Sequence, residues 1–185
     1  ELVAENLVVA ESLELDTQTR ALYLKELHLA ETGLANRLKA LLSVPLPPVS
    51  IDTEQMAAEV QKKLAINLSA EQLDVLEQIF SHRISIITGG PGTGKTTLLR
   101  SITTIFEALG KRVQLAAPTG RAARRLADVT RRKSKTIHRL LGYNFTDGQF
   151  IKNQDNPLEA DALIVDEASM VDTLLMYNFL KAVPA

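Results

Sequence analysis

One stretch, residues 89–97, has residue types and spacing suited to binding phosphate groups. Residues 89–96 follow the pattern G-x-x-x-x-G-K-T, in which Lys95 and Thr96 are the last two positions. Its glycines allow the backbone to wrap around an anion with N–H groups turned inward. We predict that Lys95 reaches the β- and γ-phosphates of a nucleotide and that Thr96 contacts Mg²⁺. The predicted nucleotide-binding residues of this loop are Gly90, Pro91, Gly92, Thr93, Gly94, Lys95, Thr96 and Thr97.

Two carboxylates, Asp166 and Glu167, follow an apolar run at 162–165. Ligands of open α/β sheets bind at the carboxyl ends of the strands, where the phosphate loop also begins. We therefore expect Asp166 to hold Mg²⁺ and Glu167 to orient or deprotonate an attacking water. With Lys95, these two acids are the predicted catalytic residues. The alternative is that the acids only cap the helix that follows.

The flanking residues predict the elements that position this chemistry. The β-branched run at 84–88 indicates a buried strand before the loop, and apolar spacing over 98–109 indicates a helix after it. Strands alternating with helices favour an α/β fold with a parallel sheet flanked by helices. Three strands make a small sheet, so we expect a domain truncated at its C-terminus. The remaining predictions are strands at 112–117 and 162–167, helices after 120, at 136–141 and at 172–180, and a hairpin turn at Asp147 and Gly148.

The first part of the chain reads as a small, mostly helical segment. Apolar runs within 1–15 suggest a hairpin, and Asp16 or Thr17 could cap a long helix ending near residue 42. Prolines 45, 47 and 48 end that helix. A shorter helix is expected at 52–64, and Ser69 with Gln72 forms a capping-box pattern. The predicted division is an accessory segment at 1–48, a linker and short helix at 49–67, and a partial P-loop domain at 68–185.

The distribution of charge is more informative than its total of −1. Residues 1–80 carry a net charge of −7, residues 111–139 carry +9, and residues 140–185 carry −5. A basic block inside an acidic chain is typical of a polyanion-binding face, although a solvated helix face is the simpler alternative. The chain has no cysteine, and its three histidines show no metal-ligand spacing. No apolar run approaches the roughly 20 residues of a membrane helix, so we expect no membrane partner and a cytoplasmic location.

Together these motifs resemble the RecD/TraA-like DNA helicases of superfamily 1, the group that moves 5′ to 3′ on single-stranded DNA. The helix near residues 23–42 is also similar to the segment that precedes the motor in stand-alone RecD-like proteins. The resemblance implies a RecA-like ATPase domain that uses ATP and Mg²⁺, with single-stranded DNA as partner, in recombination or repair. The resembling stretches are 68–72, 89–97, 117–123, 136–143 and 165–172.

The resemblance also implies roles for individual residues. Gln72 would read the adenine edge, a role that competes with the capping box. Thr119, Gly120 and Arg121 would match a motif that holds DNA phosphates, and His138 would line the DNA path. The alternative for His138 is a core or cap histidine. The hairpin at 147–148 would match a pin that helps to separate strands, or it is an ordinary surface hairpin.

The family pattern continues beyond this sequence with a Gly-Asp-x-x-Gln-Leu motif and a second RecA-like domain, which supplies arginines to the ATP site. We therefore expect a fragment comprising the end of an accessory segment and most of a first motor domain, with little hydrolysis on its own. Two other classes stay open. One is a different P-loop enzyme, such as a kinase or a non-motor ATPase, and the other is a nucleic-acid-binding module without turnover.

Overall fold

The computed structural model describes residues 13–16, 21–46, 53–90 and 92–184. Its helices are α1 (Lys25–Ser43), α2 (Thr53–Leu64), α3 (Ala70–Ser81), α4 (Lys95–Ala108), α5 (Gly120–Thr130), α6 (Ile137–Leu141) and α7 (Thr173–Ala182). Its strands are β1 (Leu13–Asp16), β2 (Ala21–Leu24), β3 (Val113–Ala117), β4 (Ser134–Thr136), β5 (Tyr143–Asn144), β6 (Gln149–Phe150) and β7 (Ala162–Val165). The apolar runs predicted to form a hairpin near residues 2–10 lie outside the described residues.

A parallel three-stranded sheet in the order β4-β3-β7 lies at the centre of the fold. Leu115 in β3 is paired with Ser134 on one side and with Ile164 on the other. Helices connect the strands, as parallel neighbours require a crossover. The predicted α/β class is therefore confirmed. Because all three strands run in the same direction, the segments that follow β3, β4 and β7 leave the sheet at one edge, called here the carboxyl edge.

The strand predicted at 84–88 is wrong. These residues belong to no ladder among the described strands, and β4 occupies the third place in the sheet instead. The side chain of Ile86 is 87% exposed, whereas Ile84 and Ile87 pack against the two cores. A β-branched run favours extended backbone, but a strand also needs a neighbour with which to exchange hydrogen bonds. The sequence does not predict β4, because Ser-Lys-Thr has no apolar pattern.

The long helix predicted to start at Asp16 or Thr17 begins instead at Lys25. The preceding strands β1 and β2 pair antiparallel, with Leu13 opposite Leu24 and Asp16 opposite Ala21. The apolar residues Leu13, Leu15, Leu22 and Leu24 alternate with a period of two, which favours strands over a helix. Apolar spacing from Leu27 onward does fit the helix that was predicted.

The predicted capping box, the hairpin turn and the helices after residues 136 and 172 are confirmed. Ser69 and Gln72 form the reciprocal capping box of α3. Thr136 caps α6 by accepting from the Arg139 N–H at 3.2 Å, and Asp172 caps α7 in the same way through Leu175 at 2.8 Å. The hairpin of β5 and β6 turns through Asp147 and Gly148. Each of these features depends on residues close in sequence, which is why local patterns predict them.

Helix α1 packs directly on α7. Arg37 of α1 donates hydrogen bonds to the carbonyls of Leu180 and Val183, at 3.1 and 2.6 Å, which satisfies the last carbonyl groups of α7. Leu41 of α1 is buried in the same core as Ile137, Leu141 and Phe179. Val60 of α2 is likewise buried in a second core with Leu76 and the apolar face of α4. The division into segments 1–48, 49–67 and 68–185 stays a prediction.

Candidate functional site

The glycine-rich loop enters α4 through two left-handed residues. Gly92 has a φ of 81° and Gly94 a φ of 79°, values that glycine adopts without steric cost. Gly94 is the N-cap of α4, so the free N–H groups and the positive dipole end of a 14-residue helix face the loop. This geometry fits an anion such as a nucleotide phosphate. Pro91, which was predicted to belong to the loop, lies outside the described residues.

Lys95 is folded back over this loop. Its ammonium group donates to the carbonyl of Gly89 and, at 2.9 Å, to that of Gly90. The Thr93 hydroxyl also donates to the Gly90 carbonyl, at 3.0 Å. The side chain of Lys95 is therefore positioned across the mouth of the loop, where its charge adds to that of the helix terminus.

The two carboxylates follow directly after β7. The Asp166 N–H donates to the Ala116 carbonyl at 3.0 Å, which extends the ladder between β7 and β3. Asp166 in turn accepts a hydrogen bond from the Glu167 N–H at 3.0 Å. Glu167 has a φ of 53°, a left-handed conformation that costs a residue with a Cβ about 1–2 kcal/mol. Such strain is found most often at functional sites, so this conformation supports a functional role for Glu167.

The first turn of α4 and the carboxylates converge on one small cavity of about 50 Å³. Lys95 and Thr96 line it from α4, and Asp166 and Glu167 line it from the end of β7. The structure thus brings together residues that are 70 positions apart in sequence, at the carboxyl edge of the sheet. The remaining lining residues are Leu99, Arg125, Leu126 and Val129.

Arg125 is the residue of this cavity that sequence reasoning missed as part of the nucleotide site. It was noted only as a member of the basic block. The spacing could have placed it at this edge of the sheet, because Arg125 lies four residues after Arg121 and therefore on the same face of α5. The buried residues Ala123, Leu126 and Thr130 fix the orientation of that helix against the sheet. Arg125 adds a second cation, besides Lys95, next to the two carboxylates.

Gln72 makes the predicted capping-box contact and a second contact with the phosphate loop, while its predicted role at the adenine edge stays a prediction. Its Oε1 accepts from the Ser69 N–H at 3.0 Å, which completes the capping box. Its Nε2 donates to the Thr93 carbonyl of the phosphate loop at 3.3 Å, and a Cβ added at Gly94 would collide with that same nitrogen. The capping role and a position beside the loop are therefore compatible, because they use opposite ends of the amide.

The residues predicted to bind DNA lie at the same carboxyl edge. Thr119 follows β3, and its hydroxyl caps α5 by accepting from the Ala122 N–H at 3.2 Å. Gly120 and Arg121 are exposed on the first turn of that helix, and a Cβ added at Gly120 would meet open space. His138 is exposed on α6, directly after β4. The structure thus places all four along one edge, beside the candidate nucleotide site.

Aromatic rings join His138 to the hairpin of β5 and β6. The His138 ring lies 5.5 Å from that of Tyr143 and 5.8 Å from that of Phe150, measured between centroids. Tyr143 also packs edge-on against Phe145 at 5.0 Å. Phe145 is nevertheless 90% exposed, so the hairpin presents an aromatic side chain to its surroundings. Its role as a strand-separating pin stays a prediction.

Two absences apply to the described residues. No three histidine or carboxylate side chains among residues 13–16, 21–46, 53–90 and 92–184 cluster as a metal site. Within the same ranges, no helix has the length and apolar character needed to cross a membrane.

Comparison with known proteins gives consistent results. A family model described as an AAA domain matches residues 72–185. The ATP-dependent RecD2 DNA helicase of Deinococcus radiodurans is 45% identical over 163 residues, which is 88% of this chain and 22% of that protein. The RecBCD enzyme subunit RecD of Mycobacterium tuberculosis is 38% identical over 136 residues, which is 61% of this chain and 24% of that subunit. The chain therefore spans about a quarter or less of these relatives. The resemblance to RecD-like helicases is confirmed.

Proposed function

Because this chain belongs to the AAA domain family, we propose that it is the ATP-binding motor segment of an ATP-dependent DNA helicase that moves along single-stranded DNA in recombination or repair. The observation that carries the proposal is the convergence of Lys95, Thr96, Asp166 and Glu167 on one cavity beneath a glycine loop. Similarity to RecD-like proteins supports DNA, rather than a small molecule, as the partner.

The proposal assigns a role to each of these side chains. Lys95 exchanges the loop carbonyls for the β- and γ-phosphates, where its charge stabilises the transition state. Thr96 and Asp166 hold Mg²⁺, which neutralises charge on the phosphate oxygens. Glu167 orients the attacking water and accepts its proton. The donor set fits this ion, because hydroxyl and carboxylate oxygens are ligands that Mg²⁺ prefers. Gln72 contacts the adenine edge through its amide.

The nucleic acid contacts lie beside the nucleotide on the carboxyl edge. Thr119, Gly120 and Arg121 hold DNA phosphates at the start of α5, and His138 lines the path. Arg121 and Arg125 share one face of α5, so the same helix reaches both the DNA and the nucleotide. We propose that a second RecA-like domain supplies the further cations needed for rapid hydrolysis, and that the protein acts in the cytoplasm.

The decisive experiment measures nucleotide binding and DNA-dependent hydrolysis. Residues 1–185 should bind a fluorescent ATP analogue with Mg²⁺, and Lys95→Ala should weaken binding at least about tenfold, because it removes charge-assisted hydrogen bonds. Lys39→Ala, at an exposed position on α1, is the matched control. In a protein that also carries a second RecA-like domain, single-stranded DNA should stimulate hydrolysis strongly. Hydrolysis at the same rate with and without DNA would instead indicate a different kind of P-loop enzyme. Equal ATP affinity of Lys95→Ala and the unaltered chain would refute the candidate nucleotide site.

A further inference from the structure

The fold divides the basic block at 111–139 between opposite ends of the sheet. Arg121 and Arg125 lie on α5, which starts at the carboxyl edge. Lys111 and Arg112 directly precede β3, and residues 131–133 directly precede β4. Because β3 and β4 are parallel neighbours, these last two groups meet at the opposite, amino edge. About half of the positive charge is therefore remote from the candidate nucleotide site.

A groove of about 370 Å³ lies at this amino edge. Its origin is the register of the sheet, in which β4 begins at Ser134, opposite Leu115. The first two residues of β3, Val113 and Gln114, consequently have no partner in β4. The groove is lined by Thr103, Glu107, Val113, Gln114, Leu115, Arg132, Lys133 and Lys135. Its volume lies in the range of ligand sites, which is about 300–1,000 Å³.

The cations of the groove differ in how they are held. Arg132 donates to the Glu107 carboxylate at 2.6 Å and to the Thr104 hydroxyl at 3.2 Å, so its charge is neutralised and its position is fixed. Lys133 and Lys135 are exposed and have no hydrogen-bond or ion-pair partner among the described residues. Lys135 lies in β4 and Lys133 directly precedes it; both are exposed, whereas the neighbouring residues 132, 134 and 136 are partly buried, so the two lysines face the same side. These two ammonium groups form the uncompensated charge of the groove.

We propose that Lys133 and Lys135, at the groove along the free edge of β4, bind the phosphate backbone of single-stranded nucleic acid. This contact is a second one, separate from the one at Thr119 and Arg121, and it rests on the proposed function for the choice of nucleic acid as polyanion. β4 leads from Lys135 into His138 and Arg139, which are exposed on α6. The edge strand therefore carries positive charge from the amino edge to the carboxyl edge, along a path that a strand of DNA can follow.

The groove fits a phosphate backbone better than an added peptide strand. Strand addition depends on main-chain hydrogen bonds along an exposed edge, and the edge available here is short, because β4 has three residues and only two residues of β3 lack a partner on that side. Flexible lysines bind phosphates as point charges and carry no information about base sequence. Lysines on an edge strand can also serve only to prevent edge-to-edge association. That role makes a different prediction, because removing the lysines would then cause self-association without loss of DNA binding.

The test compares two double variants of residues 1–185. Lys133→Gln with Lys135→Gln removes the proposed contacts, whereas Lys25→Gln with Lys39→Gln makes the same charge change at exposed positions on α1. Binding of a fluorescent oligo-dT is followed by anisotropy from 50 to 300 mM salt, and the mass in solution by light scattering. Loss of two phosphate contacts should reduce the log–log salt slope by about 1.4 and raise the Kd at 50 mM salt at least about tenfold.

Each outcome separates this inference from the proposed function. If the β4 variant binds as the α1 control does, the second contact is refuted. Self-association of the β4 variant with unchanged DNA affinity would assign the lysines to protection of the edge. Arg121→Gln provides the third arm. Weaker binding by Arg121→Gln alone leaves the proposed function intact and overturns the inference, whereas weaker binding by the β4 variant alone supports the inference and refutes only the DNA contact proposed at Arg121. Absence of binding by the unaltered chain at 50 mM salt would refute both.

Discussion

The amide of Gln72 offers a substitution that separates stability from nucleotide binding. In the structure, Oε1 serves the capping box and Nε2 faces the phosphate loop. Gln72→Glu retains an acceptor for the Ser69 N–H, as glutamate is equally common at this position of a capping box. It loses the Nε2 donor that we propose contacts the adenine edge, and it adds a negative charge beside the phosphate loop. We therefore expect unchanged stability together with weaker ATP binding.

The magnitudes follow from the contacts. Ser69→Ala removes the hydroxyl that accepts from the Gln72 N–H at 3.3 Å, which should lower the free energy of unfolding by about 1 kcal/mol. Gln72→Glu should change it by less than about 0.5 kcal/mol, because the cap survives. Loss of one hydrogen bond to the nucleotide, worth about 1 kcal/mol, should raise the Kd for ATP roughly fivefold before the added charge is counted.

The assay pairs urea unfolding with titration of a fluorescent ATP analogue for Gln72→Glu, Ser69→Ala and the control Gln78→Glu. Gln78 is exposed further along the same helix, and its side chain donates a hydrogen bond to Asp74 at 2.9 Å. The control should leave ATP affinity unchanged. If Gln72→Glu binds ATP as tightly as the unaltered chain, the nucleotide role of Gln72 is refuted. If Gln72→Glu lowers the free energy of unfolding as much as Ser69→Ala does, glutamate does not preserve the capping box.

Three further substitutions test separate parts of the structure. Gly33→Ala would place a Cβ 2.5 Å from the Tyr177 ring and should lower the free energy of unfolding by about 1 kcal/mol. In a Tyr177→Ala background, where the ring is absent, the same change should raise the free energy of unfolding, because alanine favours a helix more than glycine does. Both values are measured by urea unfolding. Arg125→Gln should weaken binding of ATP more than of ADP, by calorimetry, because Arg125 lines the cavity with Lys95, which we propose contacts the γ-phosphate. A hydrogen bond from Arg132 lowers the pKa of Glu107, so this pair stabilises the fold above the ordinary carboxyl pKa and loses its effect as the pH falls through the lower value. Glu107→Gln should therefore flatten the loss of thermal stability in acid.

Each of these has a contradicting result. A destabilising Gly33→Ala in both backgrounds would show that Tyr177 is not the obstacle. Equal losses for ATP and ADP, or an equal effect of the exposed neighbour change Arg124→Gln, would remove Arg125 from the γ-phosphate. If Glu107→Gln and the unaltered chain lose the same thermal stability in acid, the Glu107–Arg132 ion pair does not contribute to the stability of the fold.

The sequence by itself determined the parts of the site that depend on neighbouring residues. The phosphate loop, the carboxylates after an apolar strand, and the caps at Ser69, Thr136 and Asp172 are all local. Each is defined by backbone hydrogen bonds or dihedral angles within a few residues, so the residue types are sufficient to predict them. The same holds for the α/β class, which follows from the order of strands and helices.

Only the tertiary structure decided which segments share a surface. A ladder depends on a neighbour in space, so residues 84–88 lie outside the sheet although they are apolar, and β4 belongs to it although it has no apolar pattern. The crossover through α5 brought Arg125 to the carboxylates and placed residues 131–133 beside the start of β3, which divided a block that is continuous in sequence. Packing of side chains across the fold, rather than any local pattern, likewise set α1 against α7.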